Sequence, residues 1–296
     1  MKTKLFILLC SVLPLAGQAQ INYSGGIYTQ DFNTLRDDAP YVSYTNLPNG
    51  WFVSHGSYAW TSGSTAHGYS DGYGTYCFAS AAGAQDKSLG LVIGTTGQAY
   101  FGAWFHNMSG VTLTSFSLSY FAEQWMKGAV VSNDQVIPFQ YSLDATNLTS
   151  GTYTGVSSLD MHSINDGDGI LAALDGNAAT NRQLVTGTVS GISWAPNQDL
   201  WIRWCGVSHP FYQNHAMAVD DLFLSAVPQL QITMTSPTRL QVLWSTNYPG
   251  YTLQSAPIPT SASWDTVTNV PVIVGDEFGV EINATEALRF FRLQMQ

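Results

Sequence analysis

The chain has 296 residues, 20 of them acidic and 10 basic, and a formal net charge of −10. That balance repels phosphate backbones and anionic lipid surfaces, which disfavours nucleic acid as a partner. Charged residues make up only 10 % of the chain, against roughly a quarter in ordinary soluble domains. Ser, Thr, Asn, Gly and Tyr must therefore cover much of the surface, as they do in many extracellular β proteins.

Lys2 and Lys4 precede an apolar run at 5–15 that is too short to cross a bilayer as a helix. Gly17-Gln18-Ala19 then places small residues at the two positions a signal peptidase reads. Residues 1–19 read as a secretory signal cleaved after Ala19. Losing Lys2 and Lys4 leaves 8 basic against 20 acidic residues, a net of −12. No later stretch suits a membrane span, so the mature chain is expected to be periplasmic, at the cell surface or extracellular. Cys77 and Cys205 remain. An exported chain allows them one disulfide, with two buried thiols as the alternative.

Beyond the signal, short alternating runs recur between Gly, Asn, Asp and Pro clusters, and no window carries a convincing helical period. The segment 54–76 is rich in Gly, Ser, Tyr and His. It reads as a long ordered loop carrying Tyr58, Trp60, His67, Tyr69, Tyr73 and Tyr76. Such a surface binds glycans or another protein, or else covers a sheet edge. Strands are expected at 89–93 and 99–105. In 115–120 the alternation buries Phe116, Leu118 and Tyr120, which turns Phe121, Glu123 and Trp125 to the opposite face. The strand at 136–143 sets Ile137, Phe139, Tyr141 and Leu143 on one side.

Asn165-Asp166-Gly167-Asp168-Gly169 follows, with Asp175-Gly176-Asn177 close behind. Two carboxylates and an amide on a tightly turned loop are what a hard cation wants, so Asn165, Asp166, Asp168 and Asp175 form a candidate calcium site. Asp220 and Asp221 are possible contributors. Plain turn chemistry is the alternative. Further strands are expected at 183–189, 200–205 and 217–224. The strand at 200–205 separates Leu200, Ile202 and Trp204 from Trp201, Arg203 and Cys205. The histidines show no zinc spacing.

A boundary is expected near Val227-Pro228, after which the pattern restarts at 230–234, 239–244, 251–254, 270–274, 280–282 and 290–293. The expected fold is all-β: a jelly-roll β-sandwich over 20–227, followed by a small C-terminal β-sandwich module over 228–296.

Several stretches resemble known proteins. Gln30-Asp31-Phe32-Asn33-Thr34-Leu35 with Leu47-Pro48-Asn49-Gly50-Trp51 is similar to the opening of bacterial secreted jelly-roll domains. Phe121-Ala122-Glu123-Gln124-Trp125 resembles a Gly-Glu-Gln-Trp-Arg signature of the same proteins, with Ala122 for the Gly and Met126 for the Arg. Leu200 to Trp204 and Ala218-Val219-Asp220-Asp221-Leu222 extend the likeness, the latter to MAM-like and surface-anchored jelly rolls. The segments around Trp244, Tyr251, Trp264 and Phe290 resemble a β-module that closes secreted proteins of the verrucomicrobial type. The resemblance implies a fold and no particular activity.

One candidate site comes from strand phase. If the strands around Glu123 and Trp201 share a sheet, Glu123, Trp125, Trp201 and Arg203 line one surface. Aromatic planes stack on sugar rings there, and Glu123, Gln124 and Arg203 supply polar contacts, with Trp60 and Tyr73 from the aromatic loop. The alternative is that Glu123 pairs with Arg203 or Lys127 and that the tryptophans pack under loops. Gly-x-Ser-x-Gly and the Glu-x-Asp-x-x-Glu strand of jelly-roll glycoside hydrolases are absent. The reading that follows is a secreted, non-catalytic binding protein for an extracellular glycan or a surface protein, with carbohydrate binding or adhesion as its role. The rivals are a polysaccharide-active enzyme using Glu123 and a purely structural surface protein.

Overall fold

The computed structural model describes residues 19–36, 42–43, 46–54, 57–61, 74–92, 97–128, 135–165, 171–207, 215–226, 230–246, 250–275, 277–284 and 288–295, with the backbone alone at 42–43, 57–61, 245 and 295. Residues 1–18 of the expected signal at 1–19 and the boundary at 227–228 lie outside them.

Strand side chains alternate between faces, so the phase of each run decides what it buries. In Leu113–Lys127 the residues Phe116, Leu118, Tyr120 and Ala122 turn inward and are buried. In Asp199–Val207 they are Leu200, Ile202 and Trp204. In Gln98–Asn107 they are Ala99, Phe101, Ala103 and Phe105. These inward rows come from two sheets that share one core.

The first is six-stranded. Its path runs Ile21–Tyr23, Gln98–Asn107, Asp199–Val207, Phe139–Ser142, Thr154–Gly155, and Trp51–Val53 also pairs with Gln98–Asn107. The second is nine-stranded. Leu113–Lys127, Ala216–Ser225, Lys87–Val92 and Gly74–Ala79 lie side by side at its centre, and the long strand Arg182–Trp194 pairs with Leu113–Lys127. Pro138 divides the expected 136–143 strand into Val136–Ile137 and Phe139–Ser142, because proline has no N–H for a ladder.

Trp204 sits at the centre of the core. Its ring centroid lies 5.1 Å from Phe101, 5.2 Å from Tyr120 and 5.3 Å from Phe139, and it stacks on Trp51 at 6.4 Å. The indole N–H donates across the core to the Tyr120 hydroxyl at 3.2 Å, and that hydroxyl donates to the Leu159 carbonyl at 2.7 Å. Burial pushes the Tyr120 phenol up, so it stays a neutral donor.

Cys77 and Cys205 are both buried and not joined by a disulfide, which is the second of the two alternatives. The reason is phase. Cys77 faces the core from the nine-stranded sheet. Cys205 shares the parity of Trp201 and Arg203 and lies on the far side of the six-stranded sheet, opposite Tyr100.

All six runs expected after residue 230 are strands. Gln231–Ser236, Arg239–Ser245, Glu277–Asn283 and Val272–Val274 make a four-stranded sheet. Tyr251–Ala256 pairs with Phe290–Met295 and with Asp265–Thr266 in a three-stranded one. Val242, Trp244, Leu253 and Val280 form their common core. Among the described residues these strands pair only with one another. The class is thus all-β, a sandwich followed by a small β-sandwich module. No helix among the described residues is long and apolar enough to cross a membrane.

Trp204→Ala is expected to cost about 3–5 kcal/mol in a chemical denaturation experiment, and Trp204→Phe clearly less. A loss under about 1 kcal/mol in the alanine variant would mean that this ring does not hold the sheets together.

Candidate functional site

The single face expected from strand phase is divided in two. Glu123 and Trp125 stand on the nine-stranded sheet, and Trp201 and Arg203 on the six-stranded sheet. The two pairs point away from the shared core on opposite sides of the sandwich. Alternation placed each pair on an outer face correctly, but the assumed pairing of their strands does not occur.

On the nine-stranded sheet the outer face is closed. Trp125 is wholly buried among Phe78, Val92, Met126, Ala216 and Ala218. The turn 174–181 folds over it, fixed by Leu174 N–H to the Trp125 carbonyl at 2.9 Å and Gln124 N–H to the Asn181 carbonyl at 2.8 Å. Gly176 lies flat on the indole, where a Cβ would run into the ring. Trp125 therefore offers no platform to a sugar. Its N–H is shared between the Ser88 hydroxyl at 2.9 Å and the Glu123 carboxylate at 3.1 Å.

Glu123 is equally buried. In register it lies between Arg182 on one neighbour and Ala218 on the other, with Asp220 two residues along. The Arg182 Nε stands 3.8 Å from Glu123 Oε1, its Nη2 reaches Asp221 at 3.3 Å, and the guanidinium lies over the Phe121 ring at 3.7 Å. The expected partners Arg203 and Lys127 are thus replaced by Arg182. Asp221 has φ 47 at a register shift, after which Leu222 and Leu224 take the core-facing parity that Met217 and Val219 hold before it; Asp220 is buried on Glu123's side of the sheet and Asp221 is exposed. Desolvation outweighs the help Glu123 receives from Ser88, Arg182 and Trp125, and its pKa rises to about 7. That of Asp220 rises to about 9, first from desolvation and then from the Glu123 charge. Among the described residues, Glu123 Oε1 and Asp220 Oδ1 both lack a hydrogen-bond partner. A carboxylate without solvent contact is poorly placed to reach a polysaccharide, which removes the geometric basis for Glu123 as a catalytic acid.

Gln124 is also taken up internally. Its carbonyl oxygen accepts the N–H groups of Ile164 at 2.8 Å and Asn165 at 2.6 Å, and its amide donates to the Asn165 carbonyl at 2.9 Å. It clamps the 164–165 segment and has no contact left for a ligand. Of the candidate calcium residues, Asp166 and Asp168 lie outside the described residues. Asn165 and Asp175 are joined through Asn181, which accepts from the Asn165 amide at 3.0 Å and donates to the Asp175 carbonyl at 2.8 Å. Among the described residues no three His, Cys, Asp or Glu side chains converge as metal ligands would. Tyr73 lies outside the described residues. Trp60 belongs to the strand Ser57–Thr61, whose side chains are not described.

The six-stranded sheet presents a different outer face. Its two central strands pair Asp199 with His106, Trp201 with Trp104, Arg203 with Gly102 and Cys205 with Tyr100. Successive rows stand about 6.7 Å apart. His106 Nδ1 and Asp199 meet at 2.7 Å. In the next row the Trp104 and Trp201 rings are nearly parallel, with centroids 5.5 Å apart and 7° between planes. Phe52, set opposite Gly102 by the neighbouring strand, tilts against both at 6.3 and 5.1 Å. Ala145 and Leu148 cap Trp201 and bury it, while Trp104 and Phe52 stay partly exposed. Neither indole N–H has an acceptor among the described residues.

A cavity of about 300 Å³ opens here, lined by Phe52, Trp104, Trp201, Ser54, Asn147 and Thr149 among others. Its rim is preformed. The Ser150 hydroxyl accepts the N–H groups of Thr146 and Asn147, the Asn147 amide oxygen accepts the Thr149 N–H, and the Tyr153 hydroxyl donates to the Asn147 carbonyl at 2.9 Å. Gly151, at φ +81, packs against Ala145 with no room for a Cβ. Arg203 closes the next row. Its guanidinium lies 3.5 Å from the Tyr153 ring and 4.7 Å from the Tyr100 ring, its Nε donates to Gln140 at 2.8 Å, and its Nη1 donates to the Leu148 carbonyl. Sequence reasoning found Trp201 and Arg203 here and missed Trp104, Phe52, Tyr100 and Tyr153. The alternation of 99–105 already sets Tyr100 and Trp104 on one side, but only the register brings them to Trp201 and Arg203. A larger cavity, about 590 Å³, lies between the C-terminal sheets, and it carries one aromatic ring, Phe291.

No protein-family model matches the chain, and no curated protein matches it. Similar solved structures include TmCBM61 in complex with β-1,4-galactotriose, 8 % identical over 67 % of this chain and 94 % of that one, with a TM-score of 0.33. The CBM22-1 xylan-binding domain from Paenibacillus barcinonensis Xyn10C is 12 % identical over 71 % of this chain and 97 % of its own, with a TM-score of 0.32. A β-1,2-glucanase from Parabacteroides distasonis is 11 % identical over 93 % of this chain and 35 % of its own, with a TM-score of 0.26. Scores of this size fall below a shared fold, so no ligand or subsite carries over from these proteins.

The buried acids make stability depend on pH. Unfolded, Asp and Glu release their protons near 3.8 and 4.5, while folded Glu123 and Asp220 hold theirs to about 7 and about 9. Their contribution is whole below the unfolded values and is lost as pH rises through that window. Melting followed by circular dichroism is expected to show a lower Tm at pH 9 than at pH 5. Asp220→Asn keeps the shape, removes the charge and should shrink the difference. An undiminished difference in that variant would show that Asp220 is not its source.

Proposed function

We propose that this is an exported, non-catalytic carbohydrate-binding protein, and that the outer face of the six-stranded sheet is its binding surface. The observation that carries the reading is the partly exposed Trp104 ring, backed by Trp201 and flanked by Phe52, in the wall of an open cavity. Sugar rings stack on such planes, and hydroxyls find donors and acceptors in Asn147, Thr146, Thr149 and Ser54 at the rim. The rim holds its shape by its own hydrogen bonds, which lowers the entropy lost on binding. In this reading Arg203 keeps the polar role the sequence suggested, buried Trp201 backs Trp104 instead of stacking a sugar itself, and Trp104 and Phe52 replace Trp125. Glu123 and Gln124 become internal supports of the opposite sheet. Surface adhesion is the same activity exercised on glycan at a cell surface.

A glycan-array screen of the exported chain tests this, run with calcium and again with EDTA to register any metal contribution from the 165–175 segment. A specific hit is expected. Trp104→Ala should weaken it about tenfold or more with little change in Tm, the behaviour of an aromatic hot spot at the centre of an interface. Trp125→Ala should instead act on stability, at a cost of about 3–5 kcal/mol. A blank array in both conditions, or full binding by Trp104→Ala, would refute the proposal.

A further inference from the structure

Arg203 differs from two other arginines of the chain in its electrostatics. Arg182 reaches the carboxylates of Glu123 and Asp221, and Arg239 reaches Glu281 at 3.3 Å. Arg203 reaches none among the described residues, in a chain where acidic residues outnumber basic ones 20 to 10. Two tyrosine rings, Tyr153 and Tyr100, hold its guanidinium in place. Nε is committed to Gln140 and one hydrogen of Nη1 to the Leu148 carbonyl. A guanidinium has five N–H donors, so three of them, both on Nη2 and one on Nη1, have no acceptor among the described residues. That end of the fork is the part that grips a carboxylate with two parallel hydrogen bonds.

The position of this fork matters as much as its vacancy. Arg203 stands two residues along the strand from Trp201, hence about 6.7 Å from the Trp104–Trp201 row. Its own row runs Phe52, Gly102, Arg203, Gln140. Gly102 is forced, because a Cβ there would run into the Ile202 carbonyl. A cation with open donors thus stands one row along the sheet from an aromatic platform. The other charged groups of the face are engaged locally. Asp199 meets His106, and the Asp144 carboxylate is held low by the Ser142 hydroxyl and the Thr152 N–H.

We infer that the glycan this face takes is acidic, a polysaccharide bearing uronate carboxylates, with Arg203 as the counter-ion. The inference rests on the carbohydrate-binding reading above and narrows its ligand class. Trp104 would stack one ring of the chain while Arg203 takes the carboxylate of a neighbouring one. Screening at physiological salt confines what that carboxylate feels to about 8 Å, so Arg203 governs the contact more than the net charge of the chain.

The test uses matched pairs of polymers: polygalacturonate, alginate and glucuronoxylan, each beside its own carboxyl-reduced form, titrated calorimetrically near 150 mM salt. In at least one pair the acidic form is expected to bind about tenfold tighter or more. Arg203→Gln should bring the ratio of the two Kd values toward one, and Arg203→Lys, which keeps the charge and loses the fork, should restore part of it. Tm for both variants checks that the sheet is intact. Equal or tighter binding of the reduced forms would overturn the acidic-ligand inference and leave the carbohydrate reading standing, and a preference that survives Arg203→Gln would overturn Arg203 as the counter-ion. If no polymer of either kind binds and the glycan array is also blank, both fall together.

Discussion

The strict two-residue period of the strand Asp199–Val207 is the constraint on which the rest of the structure depends. It drives Leu200, Ile202 and Trp204 into the core and leaves Trp201, Arg203 and Cys205 outside. Trp204 then gathers Phe101, Phe139, Trp51 and Tyr120 around one ring and hydrogen-bonds across the core to the opposite sheet. A slip of one residue would exchange this core for the outer face. The same phase that builds the interior therefore builds the candidate site, and Cys205 cannot turn toward Cys77 without losing both.

The two outer faces of the sandwich meet different fates. On the nine-stranded sheet the floor is small: Gly90, Ala218, Ala216 and Ser88. Trp125 and Phe78 lie down over it, and the 174–181 turn lies on Trp125 through Gly176. Polar groups caught beneath lose water, so Glu123 and Asp220 are held closer to their neutral forms. On the six-stranded sheet the 144–153 segment buries Trp201 and holds Arg203 through the Tyr153 ring and the Leu148 carbonyl. Trp104, Phe52, Tyr100 and Arg203 keep partial contact with solvent. Closure makes the first face a stabilising layer. Incomplete closure makes the second a surface that a flat, hydroxylated ligand suits.

This division also sorts the polar residues by job. Gln124, which the sequence offered as a polar contact for a ligand, spends its amide on the backbone at 164–165. Asn181 ties Asn165 to Asp175. Arg182 sits over Phe121 and answers Glu123. Among the described residues Arg203 keeps three donors without an acceptor, beside an aromatic surface and with no carboxylate in reach.

The sequence by itself determined the fold class, the positions of most of the long strands and, through alternation, which of their side chains leave the core. Apolar period and turn residues are local properties, and they were legible for Phe116 to Tyr120, for Leu200 to Trp204 and for all six C-terminal strands. Alternation even set Tyr100 and Trp104 on one side of their strand. What only the tertiary structure decided was which strands are neighbours, and hence which outward residues share a surface. Pairing joins positions about a hundred residues apart, such as Trp104 with Trp201 and Gly102 with Arg203, and parity carries no information about it. Covering was equally hidden, because Trp125 and Trp104 are both outward tryptophans on long strands, and only the packing of a distant turn buries one and leaves the other open.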